Sequence, residues 1–205
     1  MAITTFNGFI AAAKQYASFS KIASRTSVAA SWFSVFDVAG NPGAGTLAIM
    51  AGGAQSDLDE AMEALAHLGR PTLVGPHGCG QLAKLANQMI VGITIGAVAE
   101  ALLLCDKGGA DMAKVKEAIT GGFADSRILQ VHGQRMVERD FAPRGRMSVQ
   151  LKDMRNAMAT AGELGFDAPV TGLLEQLYAD ANKNGLSGLD QAALFVELAR
   201  RNGMA

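Results

Sequence analysis

Hydrophobic positions change their period three times along this chain. Thr46-Leu47-Ala48-Ile49-Met50-Ala51 is a short apolar run between the turn cluster Asn41-Pro42-Gly43-Ala44-Gly45 and the pair Gly52-Gly53, the pattern of a buried strand. Leu58, Met62, Leu65 and Leu68 then recur at helical spacing behind Ser56 and Asp57, and Gly69 stops the run. Thr72-Leu73-Val74 reads as a second short strand. A strand, a helix and a strand in so few residues cannot close a sheet; they fit the last part of an α/β unit.

From Gln81 to Asp106 there is no proline, and apolar residues lie on every face, among them Leu82, Leu85, Met89, Ile90, Ile93, Ile95, Val98 and Leu102 to Leu104. Such a segment forms roughly 40 Å of helix, long enough for a membrane span. Lys84, Asn87, Gln88 and Glu100 are spread along it and would be costly in lipid. The expectation is therefore a central helix wrapped by others. The wrapping helices are predicted over Met112–Thr120 behind Asp111, Arg127–Glu138 behind Ser126, Val149–Leu164 before Gly165, Gly172–Asn182 behind Pro169 and Thr171, and from Leu189-Asp190 to Arg200. The fold class expected is mainly α: an all-α C-terminal domain around one long helix, preceded by a truncated α/β segment. The boundaries are 1–40 for an unassigned leader, 41–75 for the α/β piece and 76–205 for the helical domain.

Composition separates the leader from the rest. Residues 1–36 hold Lys14, Lys21 and Arg25 with no acid, while the other 15 basic and 19 acidic residues leave the remainder at −4. The leader is also rich in Ser, Ala and aromatics, and Gly8 to Ala23 carries many alanines and no proline, which permits a helix. An organelle transit peptide and a poorly specified leader both fit, and no function is assigned to it. The net charge of −1 gives no reason to expect nucleic acid or an anionic membrane as partner. A cytoplasmic protein is expected unless residues 1–36 target it elsewhere. Cys79 and Cys105 lie outside any CxxC spacing, and His67, His77 and His132 fall on separate elements, so no metal site is expected.

Two glycine runs, Gly43-x-Gly45-x-x-Ala48 and Gly78-x-Gly80-x-x-Ala83, match a dinucleotide fingerprint in letters only. The first leads into a strand, and the second into a helix too long to return to a strand with an acid about twenty residues on. The stretch from Gly75 to Gln88 is more informative as a whole. Glycines allow close backbone approach at a helix entry, and Lys84, Asn87 and Gln88 stand at spacings that share one helix face. An ammonium near the positive end of a helix dipole, and partly buried, is expected to have a lowered pKa suited to proton transfer. Asn87 is placed to donate to a carboxylate or carbonyl. A lysine that reaches solvent while its neighbouring amides cap loops has the same pattern.

The run Gly45-Thr46-Leu47-Ala48-Ile49-Met50-Ala51-Gly52-Gly53, followed by Gly75-x-x-Gly78-x-Gly80-x-x-x-Lys84-x-x-Asn87-Gln88, resembles the β-hydroxyacid dehydrogenases. Gly121-Gly122-x-Ala124-x-Ser126, Arg135-Met136, Asp140-Phe141-x-Pro143 and Leu151-Lys152-Asp153 continue the resemblance over about residues 43–200. It implies an NAD- or NADP-dependent oxidoreductase with a Rossmann domain before an all-α domain, acting on a small 3-hydroxy acid or 2-hydroxy-3-oxo acid. It implies Lys84 as general acid and base, Asn87 and Gln88 at the substrate, and Lys152, Asp153 and Gly80 on the cofactor side. It also implies a homo-oligomer through the helical domain.

The chain departs from that family before Gly45. No Gly-x-Gly-x-x-Gly turn in a strand-to-helix context precedes it, and Phe36-Asp37-Val38 stands where a Ser-Gly-Gly substrate clamp is expected. The α/β piece is thus expected to be a Rossmann remnant, with little or no turnover by the chain alone. A non-catalytic helical dimerisation module is the alternative.

Overall fold

The structure, a computed structural model, describes residues 33–36 and 46–204. The helix expected at Gly8–Ala23 and the turn cluster at Asn41–Gly45 lie outside the described residues. The chain divides into two compact units, one ending at Lys84 and the other beginning at Leu85.

The first unit is built on a three-stranded sheet in the order β1-β2-β3. β1 (Phe33–Phe36), inside the segment expected to be an unassigned leader, pairs antiparallel with β2 (Leu47–Gly52). β3 (Gly69–Gly75) pairs parallel with β2, and α1 (Gln55–Ala66) makes the crossover. The alternation of β2 buries Leu47, Ile49 and Ala51, which form one core with Leu58, Ala61, Leu65 and Leu68 from α1 and its exit. The expected strand and helix are both present, with shifted ends. α1 starts at Gln55 from an Ala54 cap that makes no side-chain bond, so neither Ser56 nor Asp57 is the cap. Asp57 sits in the first turn instead, where the helix dipole favours a carboxylate.

In the second unit every regular element among the described residues is helical. It takes the greater part of α2 (Cys79–Lys107), then α3 (Met112–Ile119) and α4 (Gln134–Glu138), the latter reached through a π turn at Leu129–Gly133. α5 (Met147–Glu163), α6 (Pro169–Ala181) and α7 (Leu194–Arg201) complete it. The Asp111 carboxylate accepts from the backbone N–H groups of Ala113 and Lys114, and Ser126 Oγ accepts from the Leu129 N–H, as their sequence positions predict. The core gathers Ile95, Ala99, Leu102 and Leu103 of α2 against Met154 of α5, Tyr178 of α6 and Phe195 of α7.

α2 differs from expectation in one respect. It is long and apolar enough to cross a membrane by length and composition, and in this unit one stripe of it is left exposed. Ile90 is 65% exposed and Leu104 73% exposed, while Ile95 and Ala99 are fully buried. Among the described residues, the helices that pack on this 29-residue rod leave a stripe of it, including Ile90 and Leu104, exposed.

A buried carboxylate organises the turns between these helices. Asp190 is fully buried and accepts from Arg135 Nη1 at 3.1 Å to each oxygen, from the backbone N–H of Gly145 at 3.0 Å and from that of Ala192 at 3.0 Å. His132 Nδ1 lies 3.5 Å away. Burial alone would raise this carboxyl's pKa; the bond to His132, the backbone donors and the Arg135 charge reverse that and hold it well below the usual range. Glu197, also fully buried, follows the same logic. Its burial is outweighed by donors from Arg200, Arg201 and Asn184, and its pKa falls to about 2.

Two outcomes follow for stability. Asp190→Asn removes the negative charge opposite a largely buried guanidinium and is expected to cost about 3–5 kcal/mol, measured by urea denaturation followed by circular dichroism. The stabilisation from Glu197 is complete above its ordinary value of 4.5 and is lost as pH falls toward about 2. The stability of Glu197→Gln should therefore depend less on pH across that window than that of the wild type.

Candidate functional site

Each residue singled out in the sequence has a defined place. Gly80 and Lys84 lie in the first turns of α2, within the first unit. At Gly80, what approaches the backbone is β2 itself: a Cβ there would sit 2.7 Å from the Met50 carbonyl oxygen and 3.1 Å from the Gly52 nitrogen. Glycine is thus required at this position for strand-to-helix packing, whatever else binds nearby. Lys84 is half-buried.

Asn87 and Gln88 follow one turn later on the same helix, in the second unit. There the structure joins them to α5, more than sixty residues on in sequence. Asn87 Nδ2 donates to Gln88 Oε1 at 3.0 Å, and Gln88 Nε2 donates to Asp153 Oδ2 at 2.7 Å. The other oxygen of Asp153 pairs with Lys152 Nζ at 2.9 Å. Four of the six singled-out residues thus form one continuous polar chain. It runs from a half-exposed ammonium (Lys152, 45%) through a mostly covered carboxylate (Asp153, 14%) to two carboxamides.

Sequence reasoning missed a fifth member, Gln150. Its side chain is 1% exposed; its Nε2 donates to the Gln88 backbone carbonyl at 3.1 Å, and its Oε1 accepts from Gln88 Nε2 at 3.4 Å. Space for it comes from Gly92, where a Cβ would meet Gln150 Nε2 at 2.5 Å and Met154 Sδ at 2.8 Å. A signal was available. Gln150 stands three residues after Met147 and four before Met154, both fully buried, so it is a polar residue inside the apolar stripe of α5. Buried polar groups need partners, and the carboxamide of Gln88 is the partner here.

The motif residues outside this chain serve the fold. Arg135 is held by Asp190, and Met136 is a fully buried core residue. Phe141 stacks on Phe195 with centroids 6.3 Å apart. Among the described residues, no group of three or more His, Cys, Asp or Glu side chains is arranged to hold a metal.

This donor set matches a polar organic ligand. An ammonium suits an anionic or carbonyl oxygen, and carboxamides suit a hydroxyl or carboxylate. A nicotinamide dinucleotide also needs a surface for its phosphates. The turn at Gly80 packs closely against the backbone of β2.

Comparison with known proteins places these observations. The family model described as NAD-binding of NADP-dependent 3-hydroxyisobutyrate dehydrogenase matches residues 78–198. The 2-hydroxy-3-oxopropionate reductase of Escherichia coli (strain K12) is 44% identical over 155 residues, covering 75% of this chain and 53% of that protein. Among solved structures, the Mycobacterium tuberculosis 3-hydroxyisobutyrate dehydrogenase with L-serine is 29% identical, with a TM-score of 0.71 over 81% of this chain and 60% of that one. The Salmonella typhimurium 3-hydroxyisobutyrate dehydrogenase, at 22% identity and a TM-score of 0.74, shares the fold over 80% of this chain and 58% of its own. The chain spans about half the length of the curated relatives it matches. The family model covers more than half of the chain, residues 78–198: the chain belongs to the 3-hydroxyisobutyrate dehydrogenase family, whose nucleotide is NAD or NADP.

Proposed function

We propose that this chain carries the proton-transfer and substrate-orienting part of an NAD(P)-dependent oxidoreductase acting on a small 3-hydroxy acid or 2-hydroxy-3-oxo acid. The observation that supports it most is the polar chain from Lys152 through Asp153 and Gln88 to Asn87. Asn87 and Gln88, marked by their position on the long helix, and Lys152 and Asp153, implied by the family resemblance, meet in one hydrogen-bonded series. When bound, the nicotinamide supplies the hydride. The Lys84 ammonium gives its proton to the oxygen of the carbonyl being reduced and takes it back in the oxidation direction. Asn87, one turn further along α2, orients the substrate, with Gln88 behind it. Lys152 faces the cofactor, and Asp153 fixes where its ammonium points.

The chain spans about half the length of the curated relatives it matches, and in this reading it turns over weakly or not at all when assayed by itself. The position of the nicotinamide decides this, since hydride transfer needs the reacting atoms about 3–3.5 Å apart. The assay is oxidation of NADH and NADPH in the presence of small 3-oxo acids, with binding of 3-hydroxypropionate followed by calorimetry. Any turnover found should fall by about 10²-fold or more in Lys84→Met. Binding of the hydroxy acid should weaken by about tenfold in Asn87→Ala. Robust turnover by the chain alone would refute the weak-activity reading, and turnover unaffected by Lys84→Met would refute the role given to that residue.

The bare face of α2 supports a second reading, self-association through the helical unit. Ile90 and Leu104 are large, apolar and mostly exposed, and Ala97 and Ala101 lie exposed between them. A second copy laid along this stripe would cover it. Sedimentation velocity should show a dimer that Ile90→Glu combined with Leu104→Glu converts to monomer. A wild-type monomer at high concentration would exclude this reading.

A further inference from the structure

We infer that Asp153 and Gln150 are positioning residues that fix which way round Asn87 presents its carboxamide. The argument follows the donors along the chain. An ionised carboxylate only accepts, so the group of Gln88 that meets Asp153 Oδ2 at 2.7 Å must be its NH₂. That choice turns Gln88 Oε1 toward Asn87, and Asn87 must answer with its own NH₂, at 3.0 Å. The Asn87 oxygen and its second N–H then point elsewhere. Among the described residues no other hydrogen bond of this side chain is present. Without the carboxylate, Gln88 keeps only the longer 3.4 Å contact from its NH₂ to Gln150 Oε1 in this relay, so its polarity, and with it that of Asn87, is held less firmly.

Gln150 holds the middle of this relay. By donating to the Gln88 backbone carbonyl and accepting from Gln88 Nε2, it anchors the Gln88 side chain from the buried side. Its carboxamide lies in the space left by the missing side chain at Gly92. The relay thus converts a fixed charge on α5 into a fixed polarity on α2. Asn87 shows one acceptor and one donor side by side, which suits a ligand hydroxyl that donates next to an oxygen that accepts. The meaning of Asn87 as a substrate contact rests on the proposed function; the relay itself does not.

The test is nuclear magnetic resonance of the ¹⁵N-labelled full chain, reading the side-chain amide protons of Asn87, assigned by their loss in Asn87→Ala. In the wild type one of these protons should exchange slowly with solvent. In Asp153→Asn its exchange should rise by about tenfold, the effect of losing one oriented hydrogen bond, while backbone signals remote from residues 87–92 and 150–153 stay in place. Asp153→Glu, which keeps the carboxylate, should retain the protection. Gln88→Leu cuts the relay without touching the Lys152–Asp153 pair and should expose the Asn87 amide in the same way, which covers the case in which Asp153→Asn fails to fold. Unchanged exchange at Asn87 in the folded variants overturns the inference. A parallel titration compares 3-hydroxypropionate with propionate. The wild type should favour the hydroxy acid by about tenfold or more, and Asp153→Asn and Gln88→Leu should lose that preference. If the wild type binds neither acid, the proposed function fails, and the exchange measurement still decides the relay.

Discussion

The helical unit depends on one buried negative charge. Asp190 sits where three segments meet: the π turn and α4 through His132 and Arg135, the loop before α5 through Gly145, and the short 3₁₀ turn leading into α7 through Ala192. Because the Gly145 N–H is fixed there and the Met147 N–H reaches the Leu189 carbonyl, the start of α5 has one position. Everything α5 presents, including Gln150, Lys152 and Asp153, inherits its register from that anchor. A carboxylate removed from water is costly unless its lone pairs are filled. Filling them with backbone N–H groups from separate segments turns that cost into specificity of chain path.

α2 combines two requirements that conflict in most helices. Its inner face must be apolar and thin enough for α5 and α6 to approach, which Gly92 provides by admitting Gln150, and whose carbonyl accepts from the buried Tyr178 hydroxyl at 3.3 Å. Its opening turns must carry polar chemistry. The two meet at Gln88, where one carboxamide is bonded both to a core residue and to the more exposed Asp153–Lys152 pair. The polar chain therefore sits at the rim of the core. Its members are held by packing on one side and can face a ligand on the other.

The resemblance to hydroxyacid dehydrogenases rests on motif residues that do two different jobs. Lys84, Asn87, Lys152 and Asp153 are those to which the proposed function gives the chemistry. Arg135, Met136 and Phe141 are spent on the core and on the Asp190 cluster. Gly80 belongs with the second group, since β2 fills the space where its side chain would be. A motif shared with a family is in this way a record of packing as much as of catalysis, and only the contacts tell the two apart.

Hydrophobic period alone determined the strand-helix-strand order, the long helix and the helices after it. Those patterns act over a few residues, and local caps such as Asp111 and Ser126 are read from the same short range. Sequence also marked Lys84, Asn87, Gln88, Lys152 and Asp153, because unusual polar residues stand out in an apolar helix or in a family motif. It missed the strand at Phe33–Phe36, whose pairing with β2 depends on a partner more than ten residues away. It expected α2 to be enclosed, since periodicity counts apolar faces and not the helices present to cover them. The joining of Gln88 to Asp153, the burial of Gln150 and the anchoring of α5 by Asp190 belong to the tertiary structure. Each is a hydrogen bond between residues more than forty positions apart, and such a bond is settled by which helices pack together.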